Sequence, residues 1–217
     1  DGIFHVGAIA DTTLQDPNEM LYYNYTCSKK IFDLARKFNK KVVYSSSAAV
    51  YGTDGEPTNI YGWSKLLAEE YGVALFAKNV NFVALRYFNV YGPGESHKGK
   101  MASVAYQAWN EEHLGNFKLF PGEPKRDFVY IDDVVEANIH AMENWVHGVF
   151  EVGSGKAETF ESLVGGMEIE YEYHDKDKIP GWYQFFTEAD ERKFMPNWKP
   201  KYNVQKGTKK YRDWLDK

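Results

Sequence analysis

A regular alternation of strand-like and helix-like segments is the feature that most limits how this chain can fold. Short apolar, β-branched runs such as "KKVVYSSS" and "NVNFVALRYF" flank a segment with helical spacing of apolar residues, "NIYGWSKLLAEEYGVALF". The opening run "GIFHVGAIAD" and the helical segment that follows it extend the order to strand, helix, strand, helix, strand. This order predicts the α/β class, with a doubly wound parallel sheet whose ligands bind at the carboxyl ends of the strands.

The remainder of the chain is less regular and predicts a smaller α+β lobe. Helices are predicted over "MASVAYQAWNEEHL" and over the tail "NVQKGTKKYRDWLDK", where Val204, Tyr211 and Trp214 are the expected buried residues. A strand followed by a helix is predicted over "RDFVYIDDVVEANIHAMEN". The predicted division joins residues 1–97 with 126–147 as a Rossmann-like domain, and 98–125 with 148–217 as a substrate lobe.

Composition excludes several classes of protein. The net charge is -5 and the basic residues are dispersed, which disfavours a nucleic-acid partner. A single cysteine, Cys27, rules out an internal disulfide and a cysteine-rich zinc site, and no His/Asp/Glu cluster has metal-ligand spacing. The sequence has no apolar run of bilayer length, so we expect a soluble, cytoplasmic protein without a membrane partner.

Tyr61 and Lys65 in "NIYGWSK" are the leading candidates for chemistry. Residues four apart share one face of a helix, and a nearby ammonium favours the phenolate form of tyrosine, whose pKa is ordinarily near 10. A Tyr-x-x-x-Lys pattern also arises by chance at the start of an ordinary amphipathic helix. The catalytic interpretation gains from the preceding strand end "SSSAAVYG", whose serines are expected to lie near the tyrosine.

Four motifs, "YSSSAAVYG", "YGWSK", "RYFNVYGPG" and "RDFVYIDDV", resemble those of the extended short-chain dehydrogenase/reductases that act on nucleotide sugars. The resemblance covers most of the chain. It implies that Tyr61 is the acid/base, that Lys65 holds the nicotinamide ribose and that Ser47 binds the reacting oxygen. The implied cofactor is NADP, with NAD as the alternative, and the implied partner is a second copy of the chain in a homo-oligomer.

Within that group, "GESHKGKMASVAYQ", "KLFPG…KRDFVY" and "GWYQFFTEAD" resemble the ADP-heptose 6-epimerases, which implies an ADP-heptose substrate and a role in lipopolysaccharide synthesis. The resemblance makes Lys98 a second acid/base. Inversion through a 6-keto intermediate moves the oxygen, so a different group must supply its proton for the other epimer. From the sequence alone, without the resemblance, Lys98 would be interpreted as a solvated lysine or as one that binds a diphosphate. The alternatives are another nucleotide-sugar 4-epimerase or 4,6-dehydratase, or a non-catalytic sugar-nucleotide-binding relative.

The remaining site residues are assigned by position in the resembling motifs. Cofactor-binding residues are expected to be Val6, Gly7, Ala8, Ile9, Ala10, Asn24, Tyr61, Lys65 and Val90. Substrate-binding residues are expected to be Ser47, Asn89, Lys100, Gln107, Phe120, Pro121, Gly122, Arg126 and Tyr183. A salt bridge to Asp127 is the alternative for Arg126, and simple packing is the alternative for Phe120 and Tyr183.

One family motif is missing. The resembling enzymes begin with a strand and a glycine-rich turn that holds the cofactor pyrophosphate, and these 217 residues have no such turn. Several loops are also shorter than the pattern requires. We expect either a truncated protein, which would hold the cofactor poorly, or a longer protein whose segments are joined in this sequence. The intact mass separates these two expectations.

Overall fold

The computed structural model describes residues 2–14, 16–53, 55–78, 81–115, 117–144, 146–179 and 184–217. The strands are β1 (Gly2–His5), β2 (Lys41–Ser47), β3 (Phe82–Tyr87), β4 (Asn89–Tyr91), β5 (Lys118–Leu119), β6 (Lys125–Tyr130), β7 (Gly148–Val152), β8 (Ala157–Thr159) and β9 (Glu172–Tyr173). The α-helices are α1 (Pro17–Leu21), α2 (Cys27–Lys37), α3 (Ile60–Leu75), α4 (Val104–Glu111), α5 (Ile131–Glu143), α6 (Phe160–Gly165) and α7 (Val204–Leu215).

The chain divides into two compact units. The first comprises residues 1–87, 136–152 and 192–198, and the second comprises 88–135, 153–191 and 199–217. The division predicted from sequence placed residues 88–97 and 126–135 with the Rossmann-like domain, whereas here they belong to the second unit. It placed residues 148–152 and 192–198 with the substrate lobe, whereas here they belong to the first unit. The change of unit falls directly after β3, at the start of the short strand β4, because β4 pairs with β6 and not with β3.

The first unit contains the predicted parallel sheet, in the order β1-β2-β3-β7. All three neighbouring pairs are parallel, which confirms the predicted α/β fold class. Alternate residues of β2 and β3, such as Tyr44 and Phe82, pack against Phe32 of α2 and Ala68 of α3. On the opposite face, Tyr87 of β3 donates a hydrogen bond to Asn138 of α5, so helices cover both faces of the sheet.

Local sequence explains where the helices of the first unit begin. The side chain of Asp16 accepts hydrogen bonds from the first turn of α1, and Pro17 occupies a position where its missing N–H is not needed. Between α1 and α2 the backbone forms a π-helical turn over Tyr22–Thr26, so the single helix predicted from sequence is interrupted. This turn carries Asn24, whose side chain is fully buried.

The second unit has smaller sheets than the first, and more of its backbone lies outside regular helices and strands. Strand β6 pairs in parallel with β4 and antiparallel with β8, and β5 pairs with β9. Its core is built from aromatic and aliphatic side chains of β4, β6, α6 and α7, including Tyr91, Tyr130, Leu163 and Tyr211. Trp214, expected to be buried, is 48% exposed.

Candidate active site

The predicted catalytic pair lies at the start of α3. Asn59 caps this helix because its side-chain oxygen accepts a hydrogen bond from Gly62 N at 2.8 Å. Tyr61 therefore lies in the first turn and Lys65 lies one turn later on the same face. The Nζ atom of Lys65 is 5.9 Å from the centroid of the Tyr61 ring, so the structure brings the two side chains together.

Ser47 is the last residue of β2, and it lies beside Tyr61. Its hydroxyl oxygen accepts a hydrogen bond from Ala49 N at 3.1 Å. The Ser47 side chain also lies close enough to the Tyr61 hydroxyl to lower the pKa of that group. This places the predicted serine and tyrosine at one point on the carboxyl edge of the parallel sheet, where ligands of such sheets bind.

Burial raises the pKa of the Tyr61 hydroxyl above its ordinary value, and the nearby Ser47 side chain offsets this rise only in part. The sequence led us to expect a pKa lowered by Lys65. The structure differs because loss of hydration, which disfavours the charged phenolate, is the larger effect. Tyr61 therefore retains its proton at neutral pH in the ligand-free protein.

Lys65 is almost completely buried, with 4% of its surface exposed. Its Nζ atom donates a hydrogen bond to the Ser45 carbonyl oxygen at 2.8 Å and lies 5.2 Å from the centroid of the Tyr44 ring. Burial lowers the pKa of Lys65 to about 8. Ser45 O is the one acceptor that the described residues provide for Lys65 Nζ, so two of its three N–H donors remain for a bound hydroxyl-bearing ligand such as a ribose.

His5 is the second ionisable group near Lys65, and it is neutral at pH 7. Burial, followed by the charge of Lys65, lowers the pKa of His5 to about 4. Ser28 donates its hydroxyl hydrogen to Asn24 O at 2.6 Å, so its oxygen accepts from His5 Nε2 at 2.7 Å. The neutral imidazole adds no second positive charge beside Lys65.

Asn24 connects the segment after β1 to α3. Its side chain accepts a hydrogen bond from Ile9 N at 2.8 Å and donates to Ile9 O at 2.9 Å. It also donates to Ser64 Oγ at 3.0 Å, and Ser64 Oγ donates to Tyr61 O at 2.7 Å. Asn24 thus fixes part of the predicted cofactor segment, in which Val6, Gly7, Ala8 and Ala10 are exposed and Ile9 is half-buried.

Sequence reasoning missed Ser45 as part of this site. The Ser45 hydroxyl donates to Tyr87 OH at 3.0 Å, because the Tyr87 hydroxyl itself donates to Asn138 Oδ1 at 2.9 Å. These contacts orient the strand residue whose carbonyl oxygen holds Lys65. The available signal was the position of Ser45 at the start of three consecutive serines, but sequence does not show that each one points to a different partner.

Ser46 points away from the predicted reacting atoms. Its hydroxyl donates to Glu69 Oε2 at 2.6 Å, and Glu69 is fully buried in an ion pair with Arg86. This ion pair, together with Ser46, joins α3 to the carboxyl end of β3. Of the three serines, Ser47 is the one whose side chain affects the pKa of Tyr61.

In the second unit, two predicted substrate ligands are engaged by backbone. Asn89 is exposed and donates through Nδ2 to Asp127 O at 3.2 Å. Arg126 is 8% exposed; its guanidinium donates to Lys125 O at 3.0 Å and to Gln184 O, and lies 5.7 Å from the centroid of the Phe160 ring. The role of Arg126 toward a diphosphate remains a prediction.

The other predicted residues of the second unit are distributed over its loops and short strands. Lys98 and Lys100 are exposed on the segment Ser96–Met101, which consists of 3-10 turns on either side of a kink at Gly99. Gln107 of α4 donates to Lys100 O at 3.3 Å. Val90 of β4 is half-buried, and so are Phe120 and Pro121, which follow β5. The ring centroid of Phe120 is 5.2 Å from that of His174, and Gly122 is exposed, with a φ of 97°. Tyr183 lies outside the described residues.

The described part of the chain contains neither a metal-ligand cluster nor a membrane-spanning helix. Its His, Cys, Asp and Glu side chains do not form groups of three or more that could hold a metal ion. None of its helices has the length and apolar character that crossing a bilayer requires.

The fold and the Ser47, Tyr61 and Lys65 geometry together define a Rossmann-like protein with a tyrosine–lysine pair at the carboxyl edge of its sheet. Residues 1–153 match the NAD-dependent epimerase/dehydratase family, and the chain belongs to that family. The sequence-based assignment to the extended short-chain dehydrogenase/reductases is thereby confirmed.

Solved structures of several sugar-nucleotide enzymes are similar to this chain. The ADP-L-glycero-D-manno-heptose-6-epimerase of Helicobacter pylori is 34% identical, with a TM-score of 0.88 over 100% of this chain and 72% of that one. A UDP-N-acetylglucosamine 4-epimerase from Methanobrevibacter ruminantium is 27% identical, with a TM-score of 0.87 over 100% and 76%. A UDP-glucose 4-epimerase from Thermotoga maritima is 26% identical, with a TM-score of 0.80 over 98% and 76%.

The Tyr44 hydroxyl is buried and has no hydrogen-bond partner among the described residues. Because an unpaired buried hydroxyl costs free energy, we expect Tyr44→Phe to raise the free energy of unfolding by about 1 kcal/mol. Tyr87→Phe is the matched control, since it removes a hydroxyl with two partners and should lower that free energy by about 1 kcal/mol. Urea unfolding measures both; equal losses in the two variants would contradict the assignment.

The lowered pKa of Lys65 predicts a pH dependence of stability. Between the folded pKa of about 8 and the ordinary value of 10.5, the unfolded chain binds the proton and the folded chain does not, so stability rises with pH. Relative to Lys65→Met, the protein should gain about 2 kcal/mol of unfolding free energy between about pH 8 and pH 10. Parallel profiles for the protein and the variant would show that Lys65 is not desolvated.

Proposed function

We propose that this protein is an epimerase that inverts C6 of the heptose in an ADP-heptose through a transient 6-keto intermediate, with NADP as its cofactor. The observation that carries the proposal is the placement of Ser47 and the buried Lys65 ammonium beside Tyr61 at the carboxyl edge of the sheet. The finer assignment to a heptose rests on the "HKG" segment with Lys98 and on the 34% identity to the heptose epimerase.

The residues of the first unit fit a nicotinamide cofactor. Lys65 retains two N–H donors for ribose hydroxyls, and its ammonium also favours transient negative charge on Tyr61. The segment Val6–Ala10, which is exposed except at Ile9 and is held by Asn24 through Ile9, would lie against the cofactor. When bound, NADP supplies a two-electron oxidant that accepts a hydrogen with its electron pair from the substrate carbon and returns it.

The chain's own residues handle the proton and the oxygen. Ser47 and Tyr61 would bind the C6 oxygen. Tyr61, in the phenolate form that the Lys65 ammonium favours, would take the hydroxyl proton as the carbonyl forms. Because Tyr61 otherwise holds its proton at neutral pH, it would also serve as the acid when the carbonyl is reduced. In the opposite epimer the oxygen points elsewhere, and Lys98 would donate or accept its proton. Tyr61 and Lys98 would exchange the roles of acid and base between the two directions.

Other properties belong to the same proposal. The first unit would hold the cofactor, while Asn89, Arg126 and the loops of the second unit would hold the sugar nucleotide. The product would serve lipopolysaccharide synthesis, and the protein would act as a homo-oligomer. Inversion at C4 of a UDP-sugar is the second candidate, because a UDP-N-acetylglucosamine 4-epimerase matches with a TM-score of 0.87.

A panel of sugar nucleotides separates the two candidates. The protein is incubated with NADP or NAD and with ADP-heptose, UDP-galactose or UDP-N-acetylglucosamine, and proton NMR follows each sugar. We expect a second C6 epimer to appear from ADP-heptose alone. Turnover of a UDP-sugar with unchanged ADP-heptose would overturn the proposed substrate.

A further inference from the structure

One buried carboxylate joins the two ends of the segment that carries Lys98. Glu95 immediately precedes the 3-10 segment Ser96–Met101, and Ser103 follows it. The Glu95 side chain is 4% exposed, whereas the lysines of the segment are exposed. A carboxylate that is buried loses its hydration, which is costly unless hydrogen bonds from the protein replace those from water.

Hydrogen-bond donors from three parts of the second unit provide that replacement. Glu95 Oε2 accepts from Ser103 N at 2.7 Å, and Oε1 accepts from Ser103 Oγ at 2.7 Å. Oε1 also accepts from Tyr211 OH at 3.0 Å and from Gly92 N at 3.4 Å. These donors together supply about four hydrogen bonds, which is the number that the two oxygens of a carboxylate can accept.

Tyr211 anchors this arrangement in the core of the second unit. It belongs to α7, is fully buried and is one of the core residues that pack with Tyr91 and Tyr130. Burial and the Glu95 carboxylate both raise the pKa of the Tyr211 hydroxyl, so it remains a hydrogen-bond donor. The Lys98 segment is thereby tied to a rigid helix far along the chain.

Ser103 joins the segment to the helix that follows it. Its hydroxyl donates to Glu95 and accepts from Tyr106 N at 3.2 Å, which caps α4. From α4, Gln107 Nε2 donates to Ala102 O at 2.7 Å and to Lys100 O at 3.3 Å. Both ends of the segment and its last residues are therefore fixed, and Lys98 lies on a short closed loop.

We propose that Glu95 is a positioning residue that fixes the segment 96–102 and so determines where the Lys98 ammonium stands. The catalytic consequence rests on the proposed function, in which Lys98 is the second acid/base. The structural consequence, a segment held in place between Glu95 and Ser103, does not depend on the proposed function.

Limited trypsin digestion tests the rigidity directly, because trypsin cuts after lysine. Glu95→Gln replaces one acceptor oxygen by an amide nitrogen, which accepts no hydrogen bond, so the side chain can no longer pair with all four donors. Tyr211→Phe removes one donor but keeps the buried ring. We expect initial cleavage after Lys98 and Lys100 to rise on the order of tenfold in both variants. Cleavage after Lys118, which lies elsewhere in the same unit, should be unchanged.

Glu170→Gln is the matched control, since it makes the same chemical change at an exposed side chain of the same unit. It should leave all cleavage rates unchanged. A uniform increase at all sites in Glu95→Gln and Tyr211→Phe would indicate general destabilisation and overturn the positioning role. Unchanged cleavage after Lys98 and Lys100 in both variants would also overturn it.

Steady-state kinetics with ADP-heptose test the catalytic consequence. We expect Tyr211→Phe and Glu95→Gln to lower kcat on the order of tenfold or more, because displacement of a reacting group by about 1 Å is costly, with KM within about twofold. Faster local cleavage with unchanged kcat would overturn positioning of a catalytic lysine. If the unaltered protein epimerises no ADP-heptose, the proposed function fails, and the cleavage result still decides whether Glu95 fixes the segment.

Discussion

Tyr61→Phe is expected to lower the kcat of epimerisation by about 1,000-fold. The variant keeps the ring that lies 5.9 Å from Lys65 Nζ, but it removes the hydroxyl that lies beside Ser47. No proton acceptor would then remain at the position where the substrate hydroxyl is to bind. Proton NMR at saturating substrate measures kcat.

A control on the same helix separates loss of chemistry from loss of structure. Tyr71→Phe removes a hydroxyl that hydrogen-bonds to Asp33 of α2, on a half-buried side chain of α3. We expect its kcat to stay within about twofold of the parent value, because its hydroxyl serves only helix packing. A Tyr61→Phe variant that is within tenfold of the parent would refute the catalytic assignment.

Lys98→Met is expected to abolish net epimerisation while one half of the chemistry survives. With Tyr61 as the base, the epimer whose oxygen it reaches could still be oxidised by the nicotinamide cofactor, but no group would then protonate the oxygen of the other epimer. We expect net turnover to fall by about 100-fold or more. In a single turnover, reduced nicotinamide should still form from one C6 epimer and not from the other, as followed by absorbance.

Lys209→Met provides the comparison for Lys98→Met. Lys209 is an exposed lysine of α7 in the same unit, so the substitution makes the same change of charge and shape. It should leave turnover unchanged. Native epimerisation by Lys98→Met would exclude the two-base assignment.

The elements of the first unit were predictable because their signals are local. The β-branched run at 41–47 and the apolar spacing of 60–75 each specify one type of element, and strand–helix alternation then specifies a parallel sheet. The π-helical turn Tyr22–Thr26 was not predictable in this way. One extra residue in a helical turn does not change the apolar spacing in a recognisable way. This turn nevertheless contains the buried Asn24.

Long-range contacts explain what the sequence did not show at the site. Tyr61 and Lys65 were visible because their spacing alone puts them on one helix face. The anchoring of Lys65 by Ser45 O depends on a strand that is distant in sequence. The raised pKa of Tyr61 likewise depends on burial, which the motif "YGWSK" does not encode.

Trp214 shows the limit of periodicity at the end of a helix. The buried residues of α7 are Val204, Gly207, Thr208 and Tyr211, at the spacing of a narrow apolar face. Trp214 lies one turn further, where the helix is about to end, and is 48% exposed. The apolar character of a side chain was therefore a weaker guide than its position relative to the core.

The central claim is that inversion occurs by oxidation and reduction at one carbon, with protons handled on oxygen. Epimerisation of ADP-heptose in deuterium oxide, with mass spectrometry and proton NMR of the product, tests it most directly. The account predicts inversion at C6 with no deuterium bound to that carbon. Deuterium incorporated at C6 would show that the carbon itself is deprotonated and would contradict the account.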